Sequence, residues 1–228
     1  MSKRLLVRIY LIVELVLFVG LTITSLRDTP IPSGIFVSLA LAAMVALAIM
    51  VKTDNKVDKI LHIVSSSMFF IGSLLDVLSI MTGVIPSILY MIGFLCLLVK
   101  FLLRTLDNKK ILIVIISILL CLPISLLFVF KLFLTNYLIP VLMVSILLTS
   151  IILGISLYIR KDKNPEYFFY FIGVIFYLVH FMAFSLMNEG LNVTVQINDM
   201  LNLAYITFII PSFMMIGASF ISFQRLSS

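Results

Sequence analysis

Charged residues are scarce in this sequence of 228 residues. Lys, Arg, Asp and Glu make up 11% of it, whereas 63% of the residues are hydrophobic, and the mean hydropathy is +1.28. A soluble domain of this size needs a wettable exterior, which such a composition does not supply. The sequence therefore predicts an all-α integral membrane protein whose main partner is the lipid bilayer.

Cysteine is scarce as well, and the signatures of soluble enzymes are missing. The two cysteines, Cys96 and Cys121, lie inside apolar runs without a CxxC spacing, which is typical of small buried hydrophobic residues. The sequence contains no GxSxG, HExxH, Walker A or GxGxxG motif. We therefore expect no cofactor and no metal site, and any chemistry must come from side chains within the helices or at their ends.

Eight apolar runs are long enough to cross a bilayer core, which takes roughly 20 residues in a helix. The predicted helices cover 6–26, 35–51, 60–82, 85–103, 111–130, 137–159, 167–187 and 201–223. All loops are short, so residues 1–228 are predicted to form a single transmembrane domain. The first run contains Glu14 and precedes no A-x-A-like site, so we interpret it as a retained helix rather than a signal peptide.

Basic residues are distributed unequally between the two sets of loops. The net charge is +6 and Lys plus Arg number 16, of which all but Arg27 and Lys131 belong to loops or helix ends on one side. Positive charge collects on the cytoplasmic side of membrane proteins. We therefore predict a multi-pass protein of the cell membrane with both termini in the cytoplasm. Short basic clusters between apolar runs also argue against a nucleic-acid partner.

The third predicted span carries a stripe of polar and small residues at helical spacing. Its members lie on one helical face at spacings of three, four or seven, interrupted by Phe69, whereas the opposite face is apolar. The members of the stripe are His62, Ser65, Gly72, Ser73, Asp76, Ser79 and Gly83. A carboxylate costs at least about 2.5–3.5 kcal/mol at the bilayer centre, so such residues usually face the interior of the bundle. We therefore expect Asp76 to point inward, in the membrane half opposite the basic loops.

Three further spans contribute to the same predicted interior. The expected cavity-lining or substrate-binding residues are Glu14, Ser73, Tyr177, Asn202 and Tyr205, with His180 near mid-membrane in the seventh span. Serine and glycine in membrane helices also serve close packing, which is the alternative for Ser73. Lys100 is expected to extend beside Arg104 to the cytoplasmic surface, and His62 to be wetted at a helix end.

Two short segments of the sequence resemble one another. "FFIGSLLDVLSI" begins at Phe69, and "YFIGVIFYLVHF" begins at Tyr170. They lie four spans apart, as a parallel 4+4 internal repeat would place them. A chance match of two apolar segments is the alternative.

The eight-span plan, the chain length and "SLLDVL" at 73–78 resemble the YhhN/lysoplasmalogenase family. The resemblance implies hydrolysis of the vinyl-ether bond of a lysolipid by two facing acids in the third and seventh spans. Asp76 fits the first motif, with Leu75 in place of its glycine, and "YLIPVLMVSILL" at 137–148 resembles the sixth span. Gly173 and Tyr177 also fit, whereas His180 stands at the serine position and Phe181 at that of the second acid.

Vinyl-ether hydrolysis requires protonation of the alkene carbon and attack by water, which an acid and a base can provide. The resemblance therefore assigns Asp76 as the acid, and we expect His180 to act as the base. A non-catalytic relative is a second interpretation, because the second acid is missing. A small-solute or proton-coupled transporter is the third, with Asp76, Glu14 and His180 as ion sites.

The charge distribution predicts that the segment near Asn192 and the C-terminus face opposite sides of the membrane. Alkaline phosphatase needs disulfides that form outside the cytoplasm. Alkaline phosphatase fused after Asn192 should therefore be active, whereas alkaline phosphatase fused after Ser228 should be inactive in the same cells. Activity of the C-terminal fusion would contradict the predicted topology.

Overall fold

A computed structural model describes residues 3–26, 33–53, 55–78, 84–104, 135–161, 163–188 and 195–221. These residues form seven α-helices and no strand. The helices are α1 Lys3–Leu26, α2 Ser33–Met50, α3 Lys56–Val77, α4 Val84–Leu103, α5 Thr135–Arg160, α6 Pro165–Asn188 and α7 Val195–Ala218.

Six of these helices contain a segment that is long and apolar enough to cross a membrane, and the apolar part of α2, Gly34–Met50, is shorter. The outer faces of the bundle are apolar as well. Ile159 is 70% exposed and Leu203 is 61% exposed, which suits contact with lipid tails and not with water. The helical membrane architecture predicted from composition is therefore confirmed.

The predicted span 111–130 lies outside the described residues, so the count of eight spans, the single domain and the side of each terminus stay predictions. Every other predicted span corresponds to one helix, with its ends displaced. α3 begins at Lys56 instead of 60, because the side chain of Asn55 caps the helix by accepting from Val57 N at 2.9 Å. α7 covers Val195–Ala218 instead of 201–223.

The helices pack most extensively as the pairs α6–α7, α3–α4 and α2–α3. α1 packs against α2 and α7 at one flank of the bundle. Because successive helices of each pair are antiparallel, both ends of the bundle collect residues distant in sequence. We call them the Asp76 end, which holds the end of α3 and the starts of α4 and α7, and the Arg104 end, which holds the opposite helix termini.

An aromatic layer fills the middle of the bundle. It consists of Phe69 of α3, Tyr90 and Phe94 of α4, Tyr177 of α6 and Phe213 of α7. The ring centroids of Phe69 and Phe94 lie 4.8 Å apart, those of Phe94 and Tyr177 4.5 Å, and those of Phe69 and Phe213 5.2 Å. Phe69, Phe94 and Phe213 have no exposed surface, so the layer is packed tightly where α3, α4, α6 and α7 meet.

The two similar segments occupy comparable positions. Gly72 lies against Leu89, Tyr90 and the Pro86 carbonyl of α4, and Gly173 lies against Ser212 and Ile216 of α7. In each segment the glycine therefore lets the next described helix approach closely. Duplication of a four-span unit remains a prediction, since close packing at a small residue also occurs without it.

Gly217 allows α1 to contact the backbone of α7. The hydroxyl of Tyr10 donates to the carbonyl of Phe213 at 3.0 Å, and a Cβ atom at position 217 would collide with that hydroxyl. Helix propensity alone would make Ala more favourable than Gly by about 1 kcal/mol. A loss of stability in Gly217→Ala would therefore show that the collision with Tyr10 outweighs the higher helix propensity of Ala, and a gain would show the reverse.

We expect Gly217→Ala to lower the free energy of unfolding by about 1–3 kcal/mol, the usual range for overpacking. In a Tyr10→Leu background the same substitution should cost less, because the aromatic ring and hydroxyl are gone. Reversible unfolding in mixed detergent micelles, applied to all four chains, measures this coupling. Stabilisation by Gly217→Ala in the wild-type background would contradict the proposed collision.

Candidate functional site

A cavity of about 100 Å³ opens at the Asp76 end, between helices α2 to α7. A cavity this large holds several water molecules. Its polar lining comes from different helices, and the aromatic layer forms its floor through Tyr90 and Tyr177. The lining residues with polar side chains are Ser73, Asp76, Ser87, Tyr90, Tyr177, His180 and Tyr205.

Asp76 and His180 therefore line one cavity, although they lie 104 positions apart in the sequence. Ser73, Tyr177 and Tyr205 line it as well. Five of the seven residues selected from the sequence are thus brought together. Their roles in catalysis or binding stay predictions, because a shared cavity establishes proximity and not chemistry.

Asp76 lies near the end of its helix. It is the second-last residue of α3, since the helix ends at Val77 and Leu78 is its C-cap, and its side chain is exposed. Asp76 nevertheless contributes to the lining of the cavity, and its place in the membrane half opposite the basic loops stays a prediction. A carboxylate at the mouth of a cavity retains contact with water, so its presence there is energetically cheaper than at the bilayer centre.

His180 is held in one orientation. Its Nδ1 lies 2.7 Å from the carbonyl oxygen of Tyr205, and its ring stacks on the ring of Tyr205 with centroids 4.5 Å apart. A carbonyl oxygen only accepts hydrogen bonds, so Nδ1 carries the proton. In the neutral ring this leaves the lone pair on Nε2, and His180 can accept a proton there.

The remaining cavity residues hold the helices together and shape the site. The hydroxyl groups of Ser38 and Ser73 lie 2.8 Å apart and join α2 to α3. The ring of Tyr177 lies 5.5 Å from that of His180 and 5.9 Å from that of Tyr90. Ser73 thus has the packing role weighed from the sequence, while its side chain still contributes to the cavity wall.

Two residues expected in the cavity lie elsewhere. Glu14 is fully buried but is not among the lining residues, because α1 packs on α2 and α7 at the flank of the bundle. Neither of its carboxylate oxygens has a hydrogen-bond partner among the described residues. Asn202 is exposed and lies nearer the start of α7 than Tyr205 and Ile209, the residues through which that helix meets the cavity.

A second polar cluster lies at the Arg104 end, and we call Asp58, Lys100, Arg104 and Glu166 the Arg104 cluster. Lys100 Nζ lies 3.0 Å from Glu166 Oε1, and Arg104 donates to the same oxygen at 2.8 Å. The other guanidinium nitrogen of Arg104 lies 2.6 Å from Asp58 Oδ2. Two cations and two anions thus join α3, α4 and α6.

Burial alone would lower the pKa of Arg104, but Glu166 and Asp58 raise it above its ordinary value.

The Arg104 cluster corrects two expectations. Lys100 does not extend to the surface, since it has no exposed area and its ammonium group lies 4.4 Å from the centre of the Phe101 ring. His62 is not wetted but 1% exposed, and it stacks on Phe220 with ring centroids 4.3 Å apart. Lys100 is held inside the bundle by its ion pair with Glu166, and His62 is covered by the ring of Phe220.

Sequence reasoning missed Asp58 and Glu166 because it assigned both to loops. The structure places Asp58 in the first turn of α3 and Glu166 in the first turn of α6. Asn164 accepts a hydrogen bond from the Glu166 amide at 3.0 Å, and Pro165 occupies the first helical position. The Asn-Pro-Glu order is a helix-start signal from which the position of Glu166 could have been predicted.

Acidic, histidine and cysteine side chains do not gather into a group of three that could hold a metal ion anywhere in the described part of the chain. The cavity itself offers one carboxylate and one imidazole. Its possible chemistry is therefore acid–base catalysis, or binding of a polar group.

Loss of the Glu166 carboxylate should destabilise the bundle, because Lys100 would then be buried without its nearest anion. Removal of one partner from a buried ion pair costs about 3–5 kcal/mol, so we expect a loss of this order for Glu166→Gln. Lys161→Gln, at an exposed position of the same end, should change the unfolding free energy by less than about 1 kcal/mol. If both variants changed the free energy of unfolding in detergent by equally small amounts, the Lys100–Glu166 pair would contribute little to stability.

In comparisons with known proteins, the chain matches no protein-family model, no curated protein and no solved structure.

Proposed function

We propose that this polytopic helical membrane protein hydrolyses the vinyl-ether bond of a lysolipid at the Asp76 end. The observation that carries the proposal is the position of Asp76 and His180 on the walls of one cavity. The resemblance of "SLLDVL" to the YhhN/lysoplasmalogenase family supports the same chemistry.

The surroundings of the cavity suit a lipid with a polar head. The mouth carries an exposed carboxylate, and the walls include apolar side chains such as Val37, Met143 and Ile209. Phe184 lines the cavity and is 43% exposed, so an apolar surface continues from the cavity to the lipid-facing side of α6. A lysolipid can thus place its glycerol region in the cavity while its chain stays in the bilayer.

The reaction adds water across the alkenyl ether and yields a fatty aldehyde and a free glycerol hydroxyl. In its protonated form, the carboxyl group of Asp76 donates a proton to the alkene carbon that does not carry the ether oxygen, which creates an oxocarbenium ion. Nε2 of His180 takes a proton from the attacking water, which gives a hemiacetal. The hemiacetal then collapses to the aldehyde as His180 returns its proton to the departing glycerol oxygen and Asp76 takes the hydroxyl proton, so both groups regain their starting forms. The hydrogen bond to Tyr205 and the stacked ring keep His180 oriented for this step.

A protein that binds lysolipid without turnover is the second candidate. Phe181 stands where the resemblance calls for a second acid, and it lines the cavity with an apolar ring. That observation favours a sensor or binding partner, since the described cavity lining then holds a single carboxylate.

We expect the purified protein to release fatty aldehyde from a 1-alkenyl lysolipid in detergent micelles, as measured by coupled reduction of the aldehyde. Asp76→Asn and His180→Gln should each lower kcat by about 10²–10⁴-fold, the usual contribution of a general acid or base. Asn202→Ala, exposed and outside the cavity, should leave turnover unchanged.

The saturated 1-alkyl lysolipid serves as a matched compound, because it lacks the alkene that is protonated. It should inhibit competitively and release nothing. Unaltered turnover in both cavity variants would refute the proposed roles. Binding of both lipids without turnover of either would instead establish the binding protein.

A further inference from the structure

The same helices that form the cavity also form the Arg104 cluster at the other end of the bundle. α3 contributes Asp76 and Asp58, α4 contributes Tyr90 and Arg104, and α6 contributes His180 and Glu166. Among the described residues, ion pairs join these helices at the Arg104 end and not at the Asp76 end.

Buried ion pairs are a poor means of stabilising a bundle, because desolvation of the charges offsets most of their attraction. Apolar side chains of similar volume would stabilise the contact about equally, although they would not fix how far each helix lies along its neighbours. Ion pairs differ from apolar packing in that both partners are rehydrated when they separate. When ion pairs at helix ends separate, nearby water hydrates both partners. The Arg104 cluster therefore suits a contact between helices that opens and closes.

Polar groups without partners lie between the Arg104 cluster and the aromatic layer. Both ring nitrogens of His62 and the hydroxyl of Ser65 are buried and have no hydrogen-bond partner among the described residues. They follow Asp58 on one face of α3 and precede Phe69, and the same face continues to Ser73 at the cavity. Such groups cost free energy when they stay dry, and water that entered from the Arg104 end would satisfy them.

We propose that the Arg104 cluster is a closed gate and that its opening gives a second entrance to the interior, from the membrane face opposite the cavity mouth. The aromatic layer around Phe69 is the second barrier on this path. The protein thereby carries a small polar solute, no larger than the cavity of about 100 Å³, between the two faces. This activity is independent of the proposed hydrolysis and corresponds to the carrier interpretation that the sequence left open.

Accessibility of cysteines in sealed vesicles tests the gate. In a chain with Cys96→Ala and Cys121→Ala, a membrane-impermeant cationic thiol reagent is added to one vesicle face at a time. Asp76→Cys should react from one face and Ser65→Cys from the opposite face. Thr149→Cys, whose position is equally buried but lies on α5 and not on the polar face of α3, should react at least 10-fold more slowly than Ser65→Cys.

Disruption of the cluster should hold the gate open. Glu166→Gln is expected to speed the modification of Ser65→Cys at least 10-fold, whereas Lys161→Gln leaves it unchanged. Slow modification of Thr149→Cys in the same Glu166→Gln chain shows that the bundle is still folded. If Ser65→Cys does not fold, Ser66→Cys, one residue further on and also buried, replaces it.

The proposal is overturned if Ser65→Cys reacts no faster than Thr149→Cys from either face, or only from the face that modifies Asp76→Cys. It is also overturned if Glu166→Gln changes both rates equally, because that result reports general loosening. These readouts do not depend on lipid turnover, so they distinguish failure of the gate from failure of the proposed hydrolase.

Discussion

The carboxylate of Glu166 accepts from both Lys100 and Arg104, and Arg104 also reaches Asp58, so one set of ion pairs joins α6, α4 and α3. In lipid, helices do not gain from burying apolar surface against one another, because lipid tails are equally apolar. Directional contacts must therefore set how far each helix lies along its neighbours. The Arg104 cluster does this for the three helices that carry most of the cavity.

The distant cavity depends on that alignment. Asp76 lies 18 residues beyond Asp58 on α3 and His180 lies 14 residues beyond Glu166 on α6, which corresponds to about 27 Å and about 21 Å of helix. A displacement of either helix at the Arg104 end is transmitted along a rigid rod to the other end. The aromatic layer between the two ends adds side-chain packing from four helices, which limits tilting. A polar contact at one end thus helps to decide which side chains meet at the other.

The cavity combines a solvent-accessible acid with an imidazole whose tautomer is set by a backbone carbonyl. Hydrolysis uses this pair as acid and base, while passage of a solute would use the same polar walls as a binding site. Both proposals require that polar groups in the bundle be reached by water or substrate from a defined side. Within the described part of the chain, the ring nitrogens of His62 and the hydroxyl of Ser65 have no hydrogen-bond partner. Water that entered from the Arg104 end would supply one.

The sequence by itself determined the helical membrane architecture, the approximate position of each described helix, and five of the residues that line the cavity. It could do so because apolar run length and helical spacing are local properties of the chain, and the buried face of α3 follows that spacing. It did not determine that Glu14 and Asn202 lie away from the cavity, or that Lys100 is buried on Glu166. Those outcomes depend on which helices become neighbours, and only the tertiary structure decided that, since residues 66 positions apart form the ion pair that joins α4 to α6.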